Sequence, residues 1–193
     1  ASELAARLGI SAERPLSLLH ISELTTLLED EVALYERLYD LVVANYPPTL
    51  LHRLLAELTG RLCAKGYPKR PDWRLVIFST AFDDSLERAF VMVGQPYHLF
   101  AYHHRAVDAD GVVQPGRFVH LPPANGPTNT PIELLTPNDY HGHDGDRYPV
   151  IVKLCGLHIT RDPGSVVVTE GQYLEYLPGQ DIGALLPPTL LDQ

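Results

Sequence analysis

Two turns in this chain carry side chains of types that can do chemistry, and each follows a run of apolar residues. The first is Ser79-Thr80-Ala81-Phe82-Asp83-Asp84, which sets hydroxyls and carboxylates after the run 75–79. Ligands of open parallel sheets bind just beyond the carboxyl ends of strands, so this turn can meet something polar. The same residues also suit a helix start, with Asp83 or Asp84 capping a helix over 85–93. The second turn, Cys155-Gly156-Leu157-His158, follows the run 150–154 and sets a thiol and an imidazole three positions apart. Such a pair can act as a nucleophilic couple. A free cysteine is, however, usually a small buried hydrophobe.

Other clusters are weaker. His141, His143, Asp144 and Asp146 crowd one loop, and His103 and His104 lie near a strand end. Imidazoles and carboxylates can bind a transition metal, but loops rich in His, Gly and Asp more commonly just turn and stay solvated. No metal site is assigned. Glu170 and Glu175 could do acid–base work, although a solvated helix face is the plainer use. Neither a Ser/His/Asp spacing nor a phosphate-binding glycine loop is present.

Bulk properties narrow the class. A chain of 193 residues fills one good core. Hydrophobic residues make up 45% and charged residues 20%, as in ordinary globular chains and unlike disordered ones. The formal charge of −9 argues against nucleic acid as a partner. Only 65–74 is locally basic, and Pro68 and Pro71 break it into what reads as a solvated loop. No apolar run is long enough to span a bilayer, and no export leader opens the sequence. The two cysteines, Cys63 and Cys155, make neither a zinc site nor a disulfide scaffold, which suits a reducing, cytoplasmic setting.

The elements that must position these turns follow from periodicity. Apolar positions from Leu24 to Val42 recur at three- and four-residue steps, predicting one helix over 22–43 with a buried face. Pro47 and Pro48 stop it, and Thr49 opens a helix over 50–62 with Leu51, Leu54, Leu55 and Leu58 on one side. The runs 75–79 and 150–154 predict strands buried on both faces of a parallel sheet. Further strands are expected over 97–102 and 165–169, and a hairpin over 107–121 turning at Asp110-Gly111. A Pro-, Asn- and Gly-rich loop covers 122–146, and short helices are expected over 171–177 and 182–191. Helices alternating with continuously apolar strands indicate an α/β fold.

Three segments together resemble the sirtuin-like domains of bacterial anti-phage defence proteins. Pro47-Pro48-Thr49-Leu50-Leu51-His52-Arg53-Leu54-Leu55-Ala56 resembles the family's helix before its second strand. Leu75-Val76-Ile77-Phe78-Ser79-Thr80-Ala81-Phe82-Asp83-Asp84-Ser85-Leu86-Glu87-Arg88-Ala89 resembles its "strand, Thr-Asn-aromatic-Asp-Asp, Leu-Glu-Arg-Ala" signature. Val150-Ile151-Val152-Lys153-Leu154-Cys155-Gly156, followed by the stretch 166–177, resembles its "Lys-Leu-His-Gly" strand and downstream tyrosine-rich stretch. Gly116-Arg117-Phe118-Val119-His120 and Pro137-Asn138-Asp139-Tyr140 fit the same pattern loosely. The resemblance implies a Rossmann-like, mostly parallel sheet with a helical insertion, forming a single domain over 1–193.

It also implies a chemistry. Family members cleave the bond between nicotinamide and ribose in NAD, a reaction that develops positive charge on the sugar. Thr80, Asp83 and Gly156 match family positions that contact NAD. The two catalytic positions depart: the Asn that positions ribose and water is Ala81, and the His that serves as general base is Cys155. A thiol, with a reference pKa of about 8.5, replaces an imidazole base poorly. The family's first glycine-loop strand and its last strand have no counterpart, so the chain is expected to be the interior of a larger domain. The implied partners are NAD, further domains or a defence-system protein, and further copies of the chain. The resulting expectation is a sirtuin-like NAD-binding domain whose ancestral NAD hydrolysis is impaired. The competing expectation is a catalytically inactive module for assembly.

Overall fold

The computed structural model describes residues 6, 17–42, 46–67, 74–103, 106–107, 113–114, 117–123, 132–133, 148–156 and 166–179. The expected helix over 182–191, the turn at Asp110-Gly111 and the cluster His141, His143, Asp144 and Asp146 lie outside these residues, as do His104 and His158.

Among the described residues, the stretch expected as one helix over 22–43 is two. Helix α1 (Leu18–Leu28) starts at Ser17, whose hydroxyl accepts the His20 N–H, and α2 (Glu31–Val42) follows after a sharp break. At that break Glu29 leaves the helix at φ −120°, ψ −99°, and the Asp30 carboxylate accepts the Ala33 N–H at 2.7 Å. A continuous helix would carry the face of Ile21 and Thr25 on to Leu28 and Val32. Leu24, Leu27 and Leu28 before the break and Val32 after it are exposed, and burial resumes in a new helical phase at Leu34, Tyr35 and Leu38. Asp30 carries the signal for this break, because an acceptor suited to a helix start competes with helix continuation.

Helix α3 (Leu50–Ala64) begins at Thr49 as expected. Its capping box is complete, with the Thr49 hydroxyl accepting the His52 N–H and His52 Nδ1 accepting the Thr49 N–H at 3.3 Å. The buried face, however, is Ala56 and Thr59, with Leu55 beside them, while Leu51 and Leu54 are exposed. Small residues let α3 approach α4 (Ser85–Met92) closely, where Ala56 packs with Leu86, Ala89 and Phe90.

One five-stranded mixed sheet organises the chain, in the order β1 (Val76–Ser79), β7 (Val150–Lys153), β2 (His98–His103), β5 (Arg117–Leu121), β6 (Ile132–Glu133). Strands β1 and β2 pair parallel with β7, whereas β5 runs antiparallel to both β2 and β6. Four strands therefore point one way, giving an α/β fold with a mostly parallel open sheet. The expected hairpin over 107–121 divides: β3 (Ala106–Val107) and β4 (Val113–Gln114) form a small ladder, and β5 joins the main sheet. Among the described residues 166–169 no strand forms; Val166 bridges Gly156, and the chain then turns into α5 (Glu170–Gly179). Strand β7 is buried throughout, as its apolar run predicts. Strand β1 instead lies at the edge, with Phe78 half exposed.

The period-two alternation of strands separates two cores. Ile77, Ile151 and Leu99 face α3 and α4. Val76, Val150, Val152, Phe100, Tyr102 and Phe118 form the other face, covered by Val167 and Tyr173. A third core joins α1 and α2 to Val166, Val168 and Phe82, so the helical pair packs beside the turn that follows β1. Among the described residues, no helix is long and apolar enough to cross a membrane.

Candidate functional site

Strands β1 and β7 are adjacent and parallel, with Ser79 opposite Lys153, so their carboxyl ends finish together. The ladder continues one step further, where the Leu154 N–H donates to the Ser79 carbonyl at 2.9 Å. Both chemistry-bearing turns therefore lie at one edge of the sheet, which the sequence placed there through two apolar runs of matched length.

In the first turn, Ala81 is exposed and its N–H donates to the Ser79 hydroxyl at 3.2 Å. Thr80 is exposed, and Phe82 turns inward against the helical pair. The Asp83 carboxylate accepts the Ser85 N–H at 2.8 Å, whereas Asp84, nominally the capping residue, makes no such bond and instead pairs with Arg88. Asp83 is thus both helix cap and site candidate. Burial pushes its pKa up, but hydrogen bonds from the Ser85 N–H and hydroxyl outweigh that, and the charges of Lys153 and His52 assist. The net shift is downward, so Asp83 stays ionised near neutral pH.

In the second turn, Cys155 is 4% exposed, and its Sγ lies 3.3 Å from the Tyr173 hydroxyl on α5. Burial pushes the thiol pKa up; the Tyr173 hydrogen bond and the charge of Lys153 only partly offset this. An activated nucleophile needs the opposite shift and some exposure. Cys155 therefore behaves as a buried thiol. Gly156 is buried at φ +110°, a conformation that L side chains rarely adopt, and it bridges Val166. The Val167 N–H donates to the Cys155 carbonyl at 2.9 Å, which seats the following segment over the turn.

Between the turns stands Lys153, the one charge in an apolar strand and only 1% exposed. Its ammonium pairs with Glu87 at 3.1 Å and donates to the Asp83 carbonyl. Sequence reasoning missed Lys153, Glu87 and Tyr173 as participants. A lysine within a run destined for burial was the available signal, since a buried ammonium must be paired. His52 was missed as well, because its nearness to Asp83 depends on how α3 packs.

Glu170 is exposed at the start of α5, as a solvated residue. Among the described residues, no group of three or more His, Cys, Asp and Glu side chains could hold a metal ion. His98 and His120 do meet, with Nδ1 and Nε2 3.0 Å apart, but inside the aromatic core, where His120 stacks on Phe100. The edge thus offers a carboxylate fixed by Ser85, an exposed threonine and ordered main chain. No protein-family model, curated protein or solved structure matches this chain.

Proposed function

We propose that this chain is a sirtuin-like, Rossmann-type NAD-recognition domain whose ancestral activity is hydrolysis of the nicotinamide–ribose bond and whose catalysis is impaired. The supporting observation is the pairing of β1 with β7, which brings the Thr80–Asp83 turn and the Cys155-Gly156 turn to one carboxyl edge. That edge is where parallel sheets bind nucleotides. On this reading Thr80, Asp83 and Gly156 contact NAD. An ionised Asp83 suits a cationic nicotinamide or a sugar that develops positive charge.

The impairment rests on chemistry at two positions. The methyl side chain of Ala81 can neither orient ribose nor hold water, and Cys155 presents a buried, protonated thiol where a base is needed. That buried thiol also favours a second reading, an inactive sirtuin-like module used for assembly within a defence system.

Calorimetric titration with NAD separates the two, run beside a nicotinamide-release assay. Weak binding, with a Kd on the order of 1 mM, that disappears in Asp83→Asn supports the first reading. This substitution keeps an oxygen for the Ser85 N–H and removes the charge. No binding at all would favour the assembly module. Release well above a buffer control, abolished by Asp83→Asn, would refute the impairment.

A further inference from the structure

A lysine on a fully buried strand is costly unless its ammonium is well partnered. Lys153 shares a sheet face with Ile151, and that face looks onto α4, where Glu87 receives it. Its second partner is a main-chain carbonyl, that of Asp83. That carbonyl lies outside the helical ladder, which begins one residue later with the Arg88 N–H donating to Asp84. Within the turn, Asp83 is held through its carboxylate by Ser85. Through its carbonyl it is held from outside, by the neighbouring strand.

The pair is poorly arranged for stability alone. Glu87 Oε2 is buried without a hydrogen-bond partner, so the carboxylate is only half satisfied. A hydrophobic pair of similar volume would serve packing as well or better. What such a pair would lack is a donor to the Asp83 carbonyl.

We propose that Lys153 is the positioning residue of the carboxyl edge: reaching from the central strand, it ties the Asp83 carbonyl to the Glu87 carboxylate and thereby sets the turn that presents Thr80 and Asp83. Its functional meaning rests on the reading of this edge as the nucleotide face. Its structural content can be tested without any ligand.

The experiment compares Lys153→Met with the double variant Lys153→Met/Glu87→Leu in the otherwise unaltered chain. Amide exchange at Ala81 and Ser85 and the carboxyl titration of Asp83, both followed by NMR, report on the turn. In Lys153→Met the two amides should lose protection about tenfold or more, and the Asp83 titration should move to higher pH. The double variant should regain the parent melting temperature, because the buried charge has gone. Its turn amides and Asp83 titration should nevertheless stay displaced. Should Lys153→Met fail to fold, the double variant is compared directly with the parent. A double variant with parental turn protection would overturn the proposal whatever its Asp83 titration, which loses the charge of Lys153 in any case, and would leave a pair that only stabilises. So would unchanged turn readouts in Lys153→Met. NAD titration of the parent is a separate arm: its failure would remove the nucleotide reading and leave the turn result standing.

Discussion

Tyr35 on α2 and Gln172 on α5 meet across most of the sequence, with Gln172 Nε2 donating to the Tyr35 hydroxyl at 3.0 Å. The same hydroxyl donates to the Val166 carbonyl, and Gln172 Oε1 accepts the N–H groups of Val168 and Thr169. This network holds the helical pair against the segment that leaves the Cys155-Gly156 turn. Tyr35→Phe strips the Val166 carbonyl and the Gln172 amide of a buried partner, which costs about 1–3 kcal/mol. Gln172→Leu removes an acceptor shared by two main-chain donors and should lower the melting temperature further. Calorimetry on both variants checks the order.

The two thiols should differ sharply in reactivity. Cys63 is exposed at the end of α3, while Cys155 is buried with its pKa pushed up. Reaction requires the thiolate and access to it. A disulfide reagent at pH 8 should therefore modify Cys63 at least about 100-fold faster, and both should react alike in denaturant. Mass mapping of the modified residues identifies each site. Rapid labelling of Cys155 in the folded protein would contradict its placement.

Alkaline pH should weaken the fold through Tyr97. Burial, with Glu87 and Asp84 nearby, pushes its pKa from 10.0 up to about 12. Above about pH 10 the unfolded chain releases this proton while the native protein keeps it, so stability falls as pH rises towards 12. Tyr97→Phe should flatten that decline and remove one component near pH 12 from the tyrosinate absorbance titration. Asp83 acts at the other end: its depressed pKa contributes stability above the ordinary value of 3.8, lost as pH falls further.

What sequence made legible were the elements whose signal is local. The runs 75–79 and 150–154 predicted β1 and β7, and the parallel pairing of those strands brings both turns to one edge. Thr49 announced its helix cap, and of the two candidates Asp83 and Asp84 it is Asp83 whose carboxylate accepts the Ser85 N–H. Tertiary contacts decided the rest. Which face of α3 is buried depends on close helix approach at Ala56, and leucine spacing does not encode that. The described part of the expected strand, 166–169, is buried under the helical pair, where Tyr35 and Gln172 bond the main chain of Val166, Val168 and Thr169 and a single bridge to Gly156 stands in place of a ladder. The partners of Lys153 lie some 70 residues away, beyond any local pattern.

On the NAD reading, placing Asn at position 81 and His at position 155 tests whether the edge holds a competent scaffold. Ala81 is exposed, so Ala81→Asn should fit without strain. Position 155 is harder, because an imidazole there would collide with Tyr173, whose hydroxyl already touches the thiol. Overpacking of this kind costs about 1–3 kcal/mol, so Cys155→His should be combined with Tyr173→Leu to make room. If the NAD reading holds, the triple variant should release nicotinamide about 10²–10⁴-fold faster than Ala81→Asn alone, the range for gaining a positioned base. The gain should exceed the product of the separate effects, because side chains acting on one ribose work as a unit. Nicotinamide release under single-turnover conditions measures this directly. A variant that folds, binds NAD and releases nothing would place the drift beyond positions 81 and 155. The assembly module would then be the better account of this fold.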